Sequence, residues 1–232
     1  MVDLKNMTVP RTCHLLLDPP LPGEQNMRVD EQLLQDALTG QASLRFYQWD
    51  LPTVSLGHFQ ARQGLEVPPR FAGLPVVRRL SGGGAILHDQ ELTYSCAIPA
   101  AHPLCRDPGQ LYDLVHTAII SVLSSVQVSC RMRGADAFAD ESFLCFSRGD
   151  ARDIVIGRQK IVGSAQRRRQ GAILQHGSIL LRASHWAPEF PGIQELTGRS
   201  LNAEELVPLL TEEIIRRLQL TVRQEHDSTT AD

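Results

Sequence analysis

Apolar positions along the chain recur with two different periods, and the alternation between them outlines the elements. Leu33, Leu34, Ala37 and Leu38 share one face of a helix over residues 26–38, with Asn26 placed to cap it and Gly40 to end it. Strand-like runs follow at 44–49 and 53–57, around the turn residues Asp50 and Pro52. Further runs lie at 75–80, 85–87 and 92–98, the first two separated by a run of glycines. Leu111, Leu114, Val115, Ala118, Ile119, Val122 and Leu123 return at three- and four-residue intervals, which predicts an amphipathic helix over 108–126. A second strand group covers 153–156, 160–166 and 172–181, with the RRRQG stretch (167–171) as a hairpin turn. Leu206, Leu209, Leu210, Ile214, Ile215 and Leu218 give a last helix.

Strand runs mixed with a few long helices predict an α+β fold on a mixed, mostly antiparallel sheet. The expected organisation is a loose extension over 1–25, a single domain over 26–222 and a polar tail over 223–232. Neither GxGxxG after a buried strand nor GxxxxGK[ST] occurs, so the dinucleotide fold and the P-loop are both excluded.

Composition narrows the function. The 232 residues include 42% hydrophobic and 21% charged, with a net charge of −3, which argues against a nucleic-acid binder. The start lacks the basic-then-apolar run of a secretory signal, and no apolar stretch is long enough to span a bilayer, so a cytoplasmic location with no membrane contact is expected. Cys13, Cys96, Cys105, Cys130 and Cys145 are odd in number, with no CxxC spacing. Free thiols are expected rather than disulfides or a metal site.

Three segments carry candidate chemistry. In RRLSGGGAILHD (78–89), Gly82, Gly83 and Gly84 remove every Cβ from a loop, so backbone N–H groups can approach a ligand closely. Arg78 and Arg79 are placed to clamp a carboxylate or phosphate. A lone GGG is as often a simple bend; the flanking Arg-Arg and His88-Asp89 weigh toward a ligand. In GRQKIVGSAQ (157–166), Lys160 precedes the small residues Gly163, Ser164 and Ala165, although a lysine by itself is usually a surface charge. In LQHGSIL (174–180), His176 before Gly177 reads as structural more readily than as a general base.

Together these segments resemble the biotin/lipoate protein ligase superfamily, in particular its lipoate–protein ligase A and octanoyltransferase branch. The resemblance runs through NMRVDEQLL (26–34), LRFYQWDLPTVSLGHFQ (44–60), RRLSGGGAILHDQELTYS (78–95), KIVGSAQRR (160–168) and LQHGSILL (174–181). It implies an α+β domain on a curved sheet. It also implies an acyl pocket at Arg78, Ser81, Gly82, Gly83, His88, Lys160, Gly163, Ser164 and Ala165, with Arg79, Gly84, His176 and Gly177 beside them.

The branch contains two chemistries. A ligase activates free lipoate with ATP and Mg²⁺ as an adenylate. A transferase needs no added cofactor, because the octanoyl thioester on acyl carrier protein is already activated. Ligases of this type usually carry an accessory domain, and the residues after Leu181 are too few to form one. Cys145, in FLCFSRGDARD (143–153), resembles the nucleophile of the cysteine-dependent octanoyltransferases, although FSRGDARD departs from their aromatic pattern and SGGGA is more ligase-like. The expectation is therefore ping-pong transfer through Cys145 to a lysine of a lipoyl-domain protein, such as the glycine cleavage H protein or a dehydrogenase E2. A free thiol is only a few per cent thiolate at neutral pH, and Lys160 is the candidate to raise that fraction. The ATP-dependent ligase is the alternative, and a non-catalytic lipoate-binding subunit a distant third. Arg167, Arg168 and Arg169 form a basic cluster that either docks an acidic partner or is a solvated hairpin tip.

Overall fold

A computed structural model describes residues 11–60, 67–136, 143–147 and 149–223 of the chain. Strand β1 (Thr12–Leu17) leads into helix α1 (Gly23–Leu38), β2 (Ala42–Tyr47) and β3 (Thr53–Leu56). β4 (Val76–Arg78) and β5 (Ile86–His88) flank the glycine loop, and β6 (Glu91–Ile98) follows. After α2 (Pro108–Ser125) come β7 (Arg131–Met132), β8 (Ile154–Ile156), β9 (Gln159–Arg169) and β10 (Ala172–Leu180). The chain then forms α3 (Ile193–Thr197), α4 (Ala203–Leu218) and β11 (Thr221–Val222).

The strands make two sheets. The larger has the order β11-β1-β2-β6-β10-β9-β8-β7, and the smaller has the order β4-β3-β5. In the larger sheet only the β1 pairings, with β2 and β11, are parallel; all others are antiparallel. The mixed α+β class expected from the pattern is therefore observed. No helix among the described residues is long and apolar enough to cross a membrane.

Side-chain alternation on β6 divides the interior. Leu92, Tyr94, Cys96 and Ile98 share a core with Leu111, Val115 and Ile119 of α2 and Leu206, Leu210 and Ile214 of α4. Each fully buried leucine or isoleucine contributes about 1.5–3 kcal/mol, so this is the stabilising face. The opposite face is covered by α1, whose Leu33, Leu34 and Ala37 pack on Ala97, Ala172 and Leu174. Because both faces are covered, every residue of β6 and β10 is buried.

The face under α1 is also where buried polarity collects. Arg45 on β2 is fully buried and donates to Asp18 (2.7 Å), to Asp30 (3.0 Å) and to both the backbone and side-chain oxygens of Asn26 (3.1 and 2.7 Å). Asp30 also accepts from Ser95 (2.7 Å) and Tyr47 (3.2 Å). The cap expected at Asn26 is corrected here. The helix begins at Gly23 after Pro22, and the Asn26 side chain lies inside it, donating to Leu21 O and Gln48 O. The start expected to be loose holds β1, paired along its length with β2. The hairpin turn expected over 167–171 is tighter than that: β9 runs through Arg169, which pairs with Ala172, and only Gln170 and Gly171, both at positive φ (48° and 88°), form the tip. Residues 224–232 of the expected tail lie outside the described residues.

Removing one partner of a buried ion pair costs about 3–5 kcal/mol, because the other charge is left unpaired. Arg45→Met is therefore expected to lower the unfolding free energy by about that amount in a denaturant titration. A loss below about 1 kcal/mol would mean that the ion pair does not hold α1 to the sheet.

Candidate active site

The glycine loop between β4 and β5 is shaped by close approach. A Cβ on Gly57 would collide with the carbonyl oxygen of Gly83, and Gly83 itself sits at φ +93°, where a side chain is strained. Arg79 turns inward beneath the loop. Its Nη1 donates to Ser55 O (2.9 Å) and Ser55 Oγ (3.1 Å), and its Nη2 to Gly82 O (2.9 Å) and Gly84 O (2.5 Å). The clamp expected of the arginine pair is corrected accordingly: Arg79 binds the loop, while Arg78 is exposed and lines neither cavity described below.

The segment carrying Cys145 is pinned to this loop. Ala85 N donates to Phe143 O (3.1 Å) and Cys145 N to Ala85 O (2.7 Å). The thiol consequently lies against Gly83, with Sγ 3.8 Å from where a Gly83 Cβ would stand. Lys160 approaches from β9, ion-paired with Asp153 (2.9 Å), its ammonium 5.0 Å from the centre of the Phe146 ring. Gly163 leaves room for that amine, since a Cβ there would come within 2.8 Å of Lys160 Nζ.

Two cavities meet at Cys145 and Lys160. The inner one, about 60 Å³, is walled by Met27, Tyr47, Trp49, Ile86, Phe146 and the loop. Its polar neighbours are already bonded to protein: Trp49 donates to Thr93, and His88, Thr93 and Ser178 all donate to Glu91 Oε1. The outer cleft, about 570 Å³, is lined by Gly84, Tyr112, His116, Asp150, Arg152 and Asp153 among others. Gly82, Gly83, Cys145, Lys160, Ser164 and Ala165 belong to both walls, so they mark the junction. A narrow apolar slot opening into a wider, more polar cleft at a thiol places an apolar surface beside a nucleophile and leaves the cleft open to a second substrate.

Of the residues expected at the site, Arg79, Gly82, Gly83, Gly84, Lys160, Gly163, Ser164, Ala165, Cys145, His88, His176 and Gly177 line these walls. Ser81 is buried behind them, bonded to His176 Nε2, while His176 Nδ1 donates to Asp30 (3.0 Å). Sequence reasoning missed Asp30, Asp153 and His116. Burial pushes His116 down to about 4, so it is neutral at pH 7. Its Nδ1 donates to Arg152 O (2.5 Å), leaving Nε2 to accept from Ser164 Oγ (2.6 Å). Burial raises the Asp153 carboxyl, and Lys160 opposes that rise. Burial pushes the other thiols up, Cys13 and Cys105 to about 12, Cys130 to about 11, and Cys96 higher still.

Residues 22–213 match the lipoyl protein ligase A/B catalytic domain. The chain belongs to that family. Two relatives are named octanoyltransferase LipM: one from Carboxydothermus hydrogenoformans, 36% identical over 69% of this chain, and one from Brevibacillus brevis, 38% identical over 67%. Each match covers 61% of the relative, so this chain spans about six-tenths of the length of the curated relatives it matches. A bi-partite lipoate protein ligase from Thermoplasma acidophilum shares the fold, with a TM-score of 0.70 at 20% identity over 94% of this chain and 88% of that one. The glycine loop and Lys160 meet at the junction of the two cavities.

Depressed titration of His116 couples the site to stability. Between pH 6.5 and about 4 the unfolded chain binds a proton that the folded chain does not, so stability is lost as pH falls through that window. The expected contribution is up to about 3 kcal/mol. Unfolding titrations at pH 7 and pH 4.5 should show a smaller pH-dependent loss in His116→Gln than in the native chain; equal losses would refute the assignment.

Proposed function

We propose that this chain transfers an octanoyl group from a carrier-protein thioester to a lysine of a lipoyl-domain protein, with Cys145 as the acyl-bearing nucleophile. One observation carries the reading: the only thiol among the described residues lining the two cavities stands where the apolar slot opens into the wider cleft, against an unsubstituted glycine backbone. The LipM relatives support it through their names.

In the first half-reaction the Cys145 thiolate attacks the thioester carbonyl. The tetrahedral oxyanion forms beside the glycine loop and the Lys160 ammonium, and the carbon–sulfur bond to the carrier breaks. The carrier thiolate leaves and takes up a proton. In the second half-reaction the neutral acceptor amine enters through the outer cleft and attacks octanoyl-S-Cys145. The amide forms as the amine loses its proton and the Cys145 thiolate is released. Each thioester is a better acyl donor than the amide product, so neither half-reaction requires ATP.

The adenylate route of a ligase places different demands on the same walls. It would have the outer cleft receive a nucleotide triphosphate with Mg²⁺, and among the described residues lining that cleft both permanent cations are already bonded to carboxylates. Arg152 donates to Asp113 (2.9 Å) and Lys160 is paired with Asp153 (2.9 Å). Phosphate oxygens entering the cleft would have to compete with those carboxylates for the same donors. The transferase therefore fits these residues better. Acyl carrier protein and lipoyl-domain proteins, the H protein or an E2 domain, are the partners this reading requires.

Incubation with octanoyl-carrier protein should add one octanoyl mass to the intact chain, mapped by peptide mass to Cys145. Cys145→Ser should lose that adduct and at least about a thousandfold in transfer, the scale seen when a nucleophile is removed. Undiminished transfer by Cys145→Ser, or pyrophosphate release with lipoate and ATP, would turn the assignment to the ligase.

A further inference from the structure

Among the described residues, Arg79 is a buried cation without an anion. It is 2% exposed, and no carboxylate pairs with it among the described residues. Its two terminal nitrogens are spent on four oxygen acceptors, and its Nε has no partner. The contrast is with Arg45, which is buried just as deeply and meets two carboxylates. Even so, Arg79 stays cationic at pH 7, since burial brings it down only to about 10, opposed by the proximity of Cys145. Arg79 Nη2 and Cys145 Sγ both lie within 4 Å of a single point, the place where a Gly83 Cβ would stand.

The grip of Arg79 also fixes two peptide planes. No peptide among the described residues is cis, so C=O and N–H of each peptide point in opposite directions. Drawing Gly82 O toward Arg79 therefore turns the Gly83 N–H away from it, on backbone that walls both cavities. That N–H has no backbone acceptor among the described residues. Drawing Gly84 O inward in the same way turns out the Ala85 N–H, which holds Phe143 O and so anchors the Cys145 segment.

We propose that Arg79 is the positioning residue of this site: it sets the glycine-loop peptides that hold Cys145 and present an N–H to the thioester oxyanion, and it supplies the buried positive charge that the Cys145 thiolate faces. This rests on the thioester reading above. It assigns the dominant electrostatic partner of the sulfur to Arg79 rather than to Lys160, whose charge Asp153 already offsets. Guanidinium is the group suited to the task, because its planar fork reaches four acceptors at once while keeping its charge.

Two variants separate grip from charge. In Arg79→Gln, alkylation of Cys145 by iodoacetamide, followed by peptide mass against pH, should shift to higher pH and slow about tenfold at pH 7. Arg79→Lys keeps the charge but cannot bind four acceptors. It should retain the alkylation profile while kcat for octanoyl transfer falls about tenfold or more, with KM for octanoyl-carrier protein little changed. Folding is checked by circular dichroism and Tm. Native alkylation in folded Arg79→Gln, or native kcat in Arg79→Lys, would overturn the proposal; if the glutamine variant fails to fold, the lysine variant decides alone. Transfer by Cys145→Ser, in contrast, removes the thioester reading itself, whatever the Arg79 variants do.

Discussion

The architecture depends on where the charge of Arg45 goes. A guanidinium cannot shed its proton at any ordinary pH, so burying one obliges the fold to bring acceptors to it. Those acceptors come from the turn after β1 (Asp18) and from α1 (Asn26 and Asp30), which fixes α1 across the sheet at one height and rotation. Asp30 has a second task, since it also accepts from His176 on β10, and His176 in turn is bonded to Ser81 at the head of the glycine loop. His176, Arg45 and Ser95 together hold the Asp30 carboxyl below its ordinary range despite its full burial. One chain of hydrogen bonds thus carries the position of the helix through the sheet to the loop that walls the site.

This arrangement assigns different work to the two faces of the sheet. The face toward α2 and α4 is apolar and interlocked, and supplies most of the stabilisation by burial. The face toward α1 gives up apolar contact for serines, threonines, histidines and Arg45, which lowers its stabilising yield but allows fixed dipoles beside a cavity. Glu91 is the hub of that polar layer, with three side chains converging on Oε1 and Oε2 left without a partner. The inner slot consequently presents few unspent donors or acceptors, and its character is set by Met27, Tyr47, Trp49 and Ile86.

Much of this was legible in the sequence wherever the signal was local. Strand and helix periods located the main elements, and the glycine run, Lys160 and the Gly163–Ala165 stretch of small residues marked the pocket. What escaped was non-local or directional. Asp30 and His176 stand 146 positions apart, and His116 and Ser164 stand 48 apart, so nothing in either neighbourhood announces the contact. Two adjacent arginines in extended backbone must point to opposite sides, so Arg78 and Arg79 were never equivalent. Which one turns inward depends on the pairing of β4 with β3, a register fixed by tertiary structure. A signal that was available is the Asn202–Glu205 capping box at the start of α4, with both reciprocal bonds formed.

Arg45 and Arg79, both buried, show how stability and chemistry are divided. Arg45 is neutralised within the fold, and its bonds are complete without any ligand. Among the described residues Arg79 is solvated only by carbonyl and hydroxyl dipoles, an incomplete replacement for water around a full charge, and one of its donors is unsatisfied. Such a cation lowers the stability of the resting protein, and any anion formed beside it recovers part of that loss. Negative charge in thioester exchange arises transiently, on a sulfur and then on a carbonyl oxygen. A permanent carboxylate next to Arg79 would improve the resting fold and remove the attraction that those transient charges need. In the proposed transfer, an unpaired Arg79 places the destabilisation where it is relieved during the reaction, which is the form that electrostatic preorganisation takes in a protein interior.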